Sequence, residues 1–405
     1  MKIVILNDYG YLNGGAGQIA LSSAIALARR GYDTTVFVAV PPIMPELRAS
    51  HLDVVCCDQH DILTDPRRLR AAAQGIWNVK AARRMDQLLD GLPRGETILH
   101  AHTWSKSLSS SVLRTAMRRK FPVICTLHDY FAACPNGTFF NFPQNRICRL
   151  RGLSCHCLRS NCDVRSYPQK LWRFARNMVQ KHLGHLPKGV SHFIVVSNFC
   201  QDVFAPYLPA AAGVSRLDNP IDMPQSEPVE VHENRRFIAV GQVTRLKGVD
   251  IFARAAAALQ AEAVFVGEGP CRAEVAAIYP SALVTGWKSR GEVVQWLRTA
   301  LALVFPSLCF ETQGLAVLEA AALGVPAIVP DTCAAREMVG DGATGLWFKG
   351  GDADDLARQM RRLLDDAALA RRLGQAAYDR FHRQAPTMEH HLDGLLKIYE
   401  AVLGA

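Results

Sequence analysis

At 405 residues with 49% hydrophobic content, the chain is long enough for two domains with large cores, and no apolar run reaches the roughly 18 to 20 residues of a membrane span. The formal net charge of +9 is concentrated at one end: residues 1–200 hold 26 basic and 12 acidic residues, a net of +14, whereas residues 201–405 hold 20 and 25, a net of −5. The N-terminal half is therefore expected to meet an anion, and nucleic acid is excluded as that anion because the basic residues are not interleaved with stacking aromatics.

Lys2 to Leu6 reads as a first strand. A signal peptide would show a longer apolar region and a small-residue cleavage site, so a cytoplasmic location is expected. The next loop holds Gly14, Gly15 and Gly17, and a helix is predicted from Gln18 to Arg30, with Gly31 as its stop and Thr34 to Val40 as the second strand. This is a βαβ unit with a glycine-rich first turn, where backbone N–H groups can approach a ligand closely. The spacing does not match the dinucleotide fingerprint. Pro41 to Gly95 is less regular, with a basic helical stretch over Asp65–Leu92. Strands follow at Thr97–His102 and Pro122–Leu127, which place His102 and the pair His128-Asp129 at strand carboxyl ends, where open α/β sheets bind ligands.

Residues 132–165 interrupt the pattern with Cys134, Cys148, Cys155, Cys157 and Cys162. A structural thiolate metal site, reduced free thiols and redox chemistry are the three readings of that segment. A catalytic metal is not expected. Tyr167–His185 reads as a basic amphipathic helix, either packed by one face on its domain or lying on an anionic membrane. Ser197 is placed to cap a helix beginning near Cys200. Pro206–Glu233 is the candidate interdomain link.

From Arg236 the α/β alternation restarts. Gln242 to Gly248 is a polar strand-end loop carrying Arg245 and Lys247, and Ala263–Gly267 is a strand followed by Glu268-Gly269. The most organised stretch runs from a strand at Ala300–Phe305 through Glu311 and Gly314-Leu315 into a helix that bears Glu319 and stops at Gly324. A helix N-terminus there can hold an anion. Asp352-Ala353-Asp354 opens a helix, so capping is its better reading than metal binding.

Taken together, Glu311-x7-Glu319, Gly14-Gly15, His100-Ala101-His102, His128-Asp129, Lys247-Gly248 and Gly267-Glu268-Gly269 resemble retaining glycosyltransferases of family 4. The resemblance implies an α/β fold in the GT-B arrangement, two Rossmann-like doubly wound domains facing a central cleft. Residues 1–210 would form the acceptor-side domain with the insertion 132–165, residues 211–385 the nucleotide-sugar domain, and 386–405 a helix packing back on the first. It also implies roles. Glu311 would bind donor-sugar hydroxyls and Glu319 the ribose. The N–H groups of Gly314 and Leu315 would hold the diphosphate, Lys247 would neutralise the leaving phosphate, and Gly267 would line the donor side. His128 would lie beside the reacting sugar, with Gly14, Gly15, His102 and Asp129 on the acceptor side. The family usually carries arginine where this chain has Gln242, and Arg245 is the candidate replacement.

The expected activity is transfer of a hexosyl unit, with retention, from a UDP- or GDP-sugar to a lipid-linked or oligosaccharide acceptor in cell-envelope polysaccharide synthesis. No cofactor or metal is required by that scheme. Peripheral contact with an anionic membrane, at the inner face of the cell membrane, suits the basic N-terminal half. The alternatives are a sugar-nucleotide epimerase of similar architecture and a non-catalytic subunit that binds sugar nucleotide or lipid phosphate.

Overall fold

In the computed structural model, which describes residues 1–223 and 226–404, the aliphatic runs of the N-terminal half become parallel strands because they bury both faces. In chain order these are β1 (Lys2–Tyr9), β2 (Asp33–Val40), β3 (Asp53–Cys56), β4 (Thr97–Ala101) and β5 (Val123–Leu127). A two-residue hairpin, β6 (Phe140–Asn141) and β7 (Arg146–Ile147), precedes β8 (His192–Val195) and β9 (Gly213–Arg216). The first sheet has the order β3-β2-β1-β4-β5-β8-β9, with every pairing parallel. Ile3, Ile5, Ile98, Ile124 and Ile194 form its buried centre. The edge strand β3 falls in the irregular stretch 41–95, and the basic stretch 65–92 is two helices, Arg68–Ile76 and Val79–Asp90, the second capped by the Asn78 side chain.

The second sheet comprises β10 (Arg236–Val240), β11 (Ala263–Val266), β12 (Leu283–Val284), β13 (Ala300–Val304), β14 (Ala327–Pro330) and β15 (Gly345–Phe348). Its order is β12-β11-β10-β13-β14-β15, again all parallel. In both sheets the winding reverses beside the first strand, between β1 and β4 and between β10 and β13. Crossover connections there leave on opposite faces and open a crevice at the strand carboxyl ends.

The chain divides into two units: residues 1–137, 150–220 and the segment from Pro386 on, and residues 138–149 with 221–385. The boundary thus lies ten residues beyond the expected 210, because β9 completes the first sheet. Nor does the insertion 132–165 belong wholly to the first unit. Its hairpin, β6 with β7, groups with the second, where the Phe139 ring lies 6.1 Å from that of Phe310. The expected link 206–233 includes Pro224 and Gln225, which lie outside the described residues, as does Ala405 at the end of the expected C-terminal segment. The helix Met388–Leu403 packs on the helix Gly14–Arg29 and on β4, and puts Leu392, Leu395 and Tyr399 into the first core.

The helix Tyr167–His182 is amphipathic, as read from the sequence, but the face it turns inward is the polar one, the reverse of the usual arrangement. Its polar residues Lys170, Arg176, Asn177 and Gln180 are buried, and Leu171 and Met178 are exposed. Loop carbonyls explain the reversal, because buried C=O groups need donors. Asn177 and Gln180 both donate to the Phe131 carbonyl, and Arg176 donates to that of Ser105. The Arg176 guanidinium also sits over the Phe131 and Trp172 rings. No helix among the described residues is long and apolar enough to cross a membrane.

Candidate functional site

Two loops at the carboxyl ends of neighbouring strands build a cluster of polar groups in the second unit. The loop after β10 turns through Gln242, Arg245 and Lys247, and the loop after β13 runs from Phe305 to Gln313. They are zipped together by the Leu308 N–H, which donates to the Leu246 carbonyl at 3.0 Å. Gly248 permits that approach: its φ is +66°, and a Cβ there would stand 1.9 Å from the Pro306 carbonyl oxygen. Gly267 plays the same part on the other side, where a Cβ would meet the Gly241 carbonyl at 2.0 Å. Gly267 is therefore needed for loop packing whatever it contributes to a ligand. A small cavity of about 60 Å³ at these strand ends is lined by Gly241, Gln242, Val243, Lys247, Pro306 and Ser307, among others.

The zipped loops bring Lys247 to Glu311. The ammonium donates to Glu311 Oε1 at 2.7 Å, Ser307 Oγ donates to the same oxygen at 2.5 Å, and the Cys309 thiol reaches it at 3.6 Å. Burial opposes the lysine charge, but the Glu311 carboxylate beside it holds the ammonium above the ordinary lysine range. The Cys309 thiol is pushed up to about 12, mainly by burial and then by Glu311. Ser307 was not singled out from the sequence. The one available signal is its place in the strand-end loop four residues before Glu311.

The helix Leu315–Ala322 begins directly after this cluster, with Gly314 as its N-cap and no side chain capping it. A helix start of this kind presents backbone N–H groups to an anion. Glu319 lies in the second turn, with its side chain 18% exposed and Oε1 3.7 Å from Arg290 Nε. Burial pushes its carboxyl up, and Arg290 acts against that shift. The Ser289-x-x-Glu292 capping box starts the helix that carries Arg290, but the pairing to Glu319 across 29 residues leaves no trace in sequence spacing.

The candidate replacement for the missing arginine is engaged elsewhere. Arg245 holds Glu274 through Nε, 3.0 Å from both carboxylate oxygens, and through Nη2 at 2.9 Å. Its guanidinium is committed to the helix Arg272–Ile278, not to Lys247 and Glu311. Gln242 is exposed at the strand end. Asp352 caps its helix by accepting from the Asp355 N–H.

The first unit gathers a second set. The helix there begins at Gly14, four residues before the expected start, and both Gly14 and Gly15 are exposed at its uncapped N-terminus. His102 Nδ1 and His128 Nε2 are 2.9 Å apart, and His102 Nε2 is buried without a hydrogen-bond partner. Burial, reinforced by His391, pushes His128 down to about 3, so its imidazole is neutral at pH 7. Asp129 accepts from the Phe131 N–H at 3.0 Å, yet burial pushes its carboxyl up to about 6. The C-terminal helix packs close by: Tyr399 Oη lies 2.6 Å from Nδ1 of His100 on β4, and His391 Nδ1 lies 2.9 Å from the Asp218 carbonyl. Tyr399 and His391 were missed because their partners, His100 and Asp218, lie 299 and 173 residues away in the sequence.

None of the twelve cysteines is joined in a disulfide. Cys148 lies with the hairpin in the second unit, and Cys134, Cys155, Cys157 and Cys162 lie in the first. Among the described residues no three His, Cys, Asp or Glu side chains are grouped to hold a metal ion.

Residues 13–224 match the family model described as Glycosyltransferase Family 4, and residues 224–380 match that described as Glycosyl transferases group 1. A D-inositol 3-phosphate glycosyltransferase of Nocardia farcinica is 32% identical over 184 residues, covering 40% of each chain. The alpha-D-kanosaminyltransferase of Streptomyces kanamyceticus is 26% identical over 149 residues, 34% of this chain and 38% of that one. The matched stretches therefore span well under two thirds of these curated relatives. Among solved structures, sucrose-phosphate synthase from Thermosynechococcus elongatus superposes with a TM-score of 0.75 at 18% identity, over 100% of this chain and 99% of the other. The Anabaena HepE structure in complex with UDP-glucose gives 0.68 at 16% identity, over 99% and 100%. These likenesses establish the GT-B fold, with two Rossmann-like domains.

Proposed function

The chain belongs to glycosyltransferase family 4, and on that premise we propose that it transfers a hexosyl unit, with retention, from a UDP- or GDP-sugar to a saccharide or lipid-linked acceptor of the cell envelope. The observation that carries this reading is the Lys247–Glu311–Ser307 cluster at the uncapped start of the helix that bears Glu319. Lysine has three N–H donors and Glu311 takes one, so Lys247 can still donate to phosphate oxygens. With the helix N-terminus it stabilises charge that grows on the departing diphosphate. Glu311 accepts from sugar hydroxyls, and Glu319 from the ribose once Arg290 yields it. The acceptor attacks from the face the diphosphate leaves, so the anomeric configuration is kept and no carboxylate nucleophile is needed. The scheme calls for no cofactor and no metal.

Solved relatives support the donor and acceptor classes. HepE is held with UDP-glucose, and another relative is a lipopolysaccharide outer core galactosyltransferase. We assign the protein to the cytoplasmic side of the envelope.

The test is thermal stability against UDP-, GDP- and ADP-sugars for the wild type and Glu319→Gln. A ligand at 100-fold its Kd stabilises the folded state by about 2.7 kcal/mol. One nucleotide family is expected to raise the wild-type midpoint and to raise the variant's by no more than about half as much, and turnover with an acceptor is expected to give a product of unchanged anomeric configuration. Conversion of the sugar nucleotide without acceptor refutes the transferase in favour of an epimerase. Binding without any turnover supports a second reading, a non-catalytic sugar-nucleotide binding subunit, which the commitment of Arg245 to Glu274 favours.

A further inference from the structure

The inverted helix Tyr167–His182 leaves an apolar face partly open, with Leu171 39% and Met178 36% exposed. Pro168, Leu171, Ala175 and Met178 recur at three- and four-residue spacing, which puts them on one side of the helix, and all four are exposed. Val164 precedes the helix at 59% exposure, and Leu183 follows it at 61%. The helix cannot roll to hide this side, because the opposite one is held by hydrogen bonds. Arg176, Asn177 and Gln180 satisfy the Ser105 and Phe131 carbonyls, and Gln180 also accepts from the Trp104 indole N–H at 3.2 Å. Lys170 is fully buried, with its ammonium 3.2 Å from Cys157 Sγ. Turning the helix would strand these groups without partners at about 1–3 kcal/mol each.

The charge around this face decides what it fits. Between Val164 and Lys188 the sequence has no acidic residue and six basic ones. Two of the six, Lys170 and Arg176, are buried, and Arg173 is paired with Asp163 at 2.9 Å. Arg165, Lys181 and Lys188 remain exposed. A second copy docked face to face would bring these like charges together, whereas an anionic lipid surface complements them.

We propose that Val164, Pro168, Leu171, Ala175 and Met178 form a docking face for an anionic bilayer, with Arg165 and Lys181 against the headgroups. The apolar stripe lies at the boundary between headgroups and acyl chains, and the basic rim supplies the attraction that selects anionic lipid. The proposal does not rest on the transferase reading, and its test reads binding without turnover.

The experiment is co-sedimentation of the full chain with vesicles of phosphatidylcholine alone and of phosphatidylcholine with phosphatidylglycerol. Binding is expected only to the anionic vesicles, and salt should release part of it. Leu171→Glu with Met178→Glu should abolish binding, and Lys181→Gln should weaken it about fivefold, as one lost surface charge predicts. Thermal melting checks that the variants fold. If the double glutamate variant does not, Leu171→Ser and Lys181→Gln carry the test. Equal binding to both vesicle types, or undiminished binding by folded variants, overturns the proposal. So does a dimer in sedimentation velocity that Leu171→Glu dissolves, because the face then belongs to a second copy.

Discussion

Gly248→Ala and Gly14→Ala form a pair that isolates what the loop contact contributes to the donor-side cluster. Both glycines have left-handed backbones, at φ +66° and +78°. An alanine at either site takes on the left-handed conformation at about 1–2 kcal/mol. The space around them differs. A Cβ at Gly14 meets nothing within 4 Å, but at Gly248 it stands 1.9 Å from the Pro306 carbonyl oxygen. The Gly248 variant must part the two loops. That breaks the Leu308–Leu246 hydrogen bond, worth about 1 kcal/mol, and pulls Lys247 off Glu311. This ion pair is part-exposed, with side chains 33% and 15% accessible, so its loss adds only about 1 kcal/mol. Gly14→Ala is therefore expected to cost about 1–2 kcal/mol and Gly248→Ala about 3–4 kcal/mol in urea titrations. Sugar-nucleotide affinity of the Gly248 variant should fall at least about tenfold, the equivalent of about 1.4 kcal/mol. Equal destabilisation of the two variants, or unchanged donor affinity at Gly248→Ala, would show that the loops do not position Lys247 as argued.

The pairing of Arg245 with Glu274 is exposed, so Arg245→Ala should change stability by less than about 1 kcal/mol, and donor affinity measured by calorimetry should stay within about twofold if the guanidinium has no phosphate role. Glu319→Gln keeps the shape of a side chain whose carboxyl burial already pushes up; its urea midpoint should match the wild type while donor affinity drops about 10- to 100-fold, the loss of one or two hydrogen bonds to a charged group. The buried histidines set an acid limit. His391 is pushed down to about 4 by burial, so below pH 6.5 the unfolded chain binds a proton that the folded one refuses. Stability should fall from pH 6.5 toward pH 4, by up to about 3 kcal/mol from this residue. A pH series of melting midpoints checks this, and His391→Gln should flatten the slope.

How much was legible in the sequence varied with the range of the interaction. The doubly wound pattern, the strand ends that hold His102, His128 and Lys247, and the helix start at Gly314 all rest on local periodicity and on glycine and cap residues. These operate within a few positions of the chain, so one sequence suffices to read them. Spacing also pointed to Glu311 and Glu319, but it did not disclose their partners. Lys247 meets Glu311 only because β10 and β13 are neighbours, and Arg290 meets Glu319 across a strand-to-helix connection.

The tertiary structure alone decided the rest. It gave Arg245 to Glu274, moved the hairpin of the cysteine segment into the second unit, and extended the first sheet to Arg216. The helix Tyr167–His182 is the plainest case. Its sequence pattern says that two faces differ in polarity, and it cannot say which face turns inward. That was settled by the unpaired carbonyls of loops some 45 to 70 residues away, which outweigh the gain from burying Leu171 and Met178, because an unsatisfied buried polar group costs as much as an apolar side chain gains.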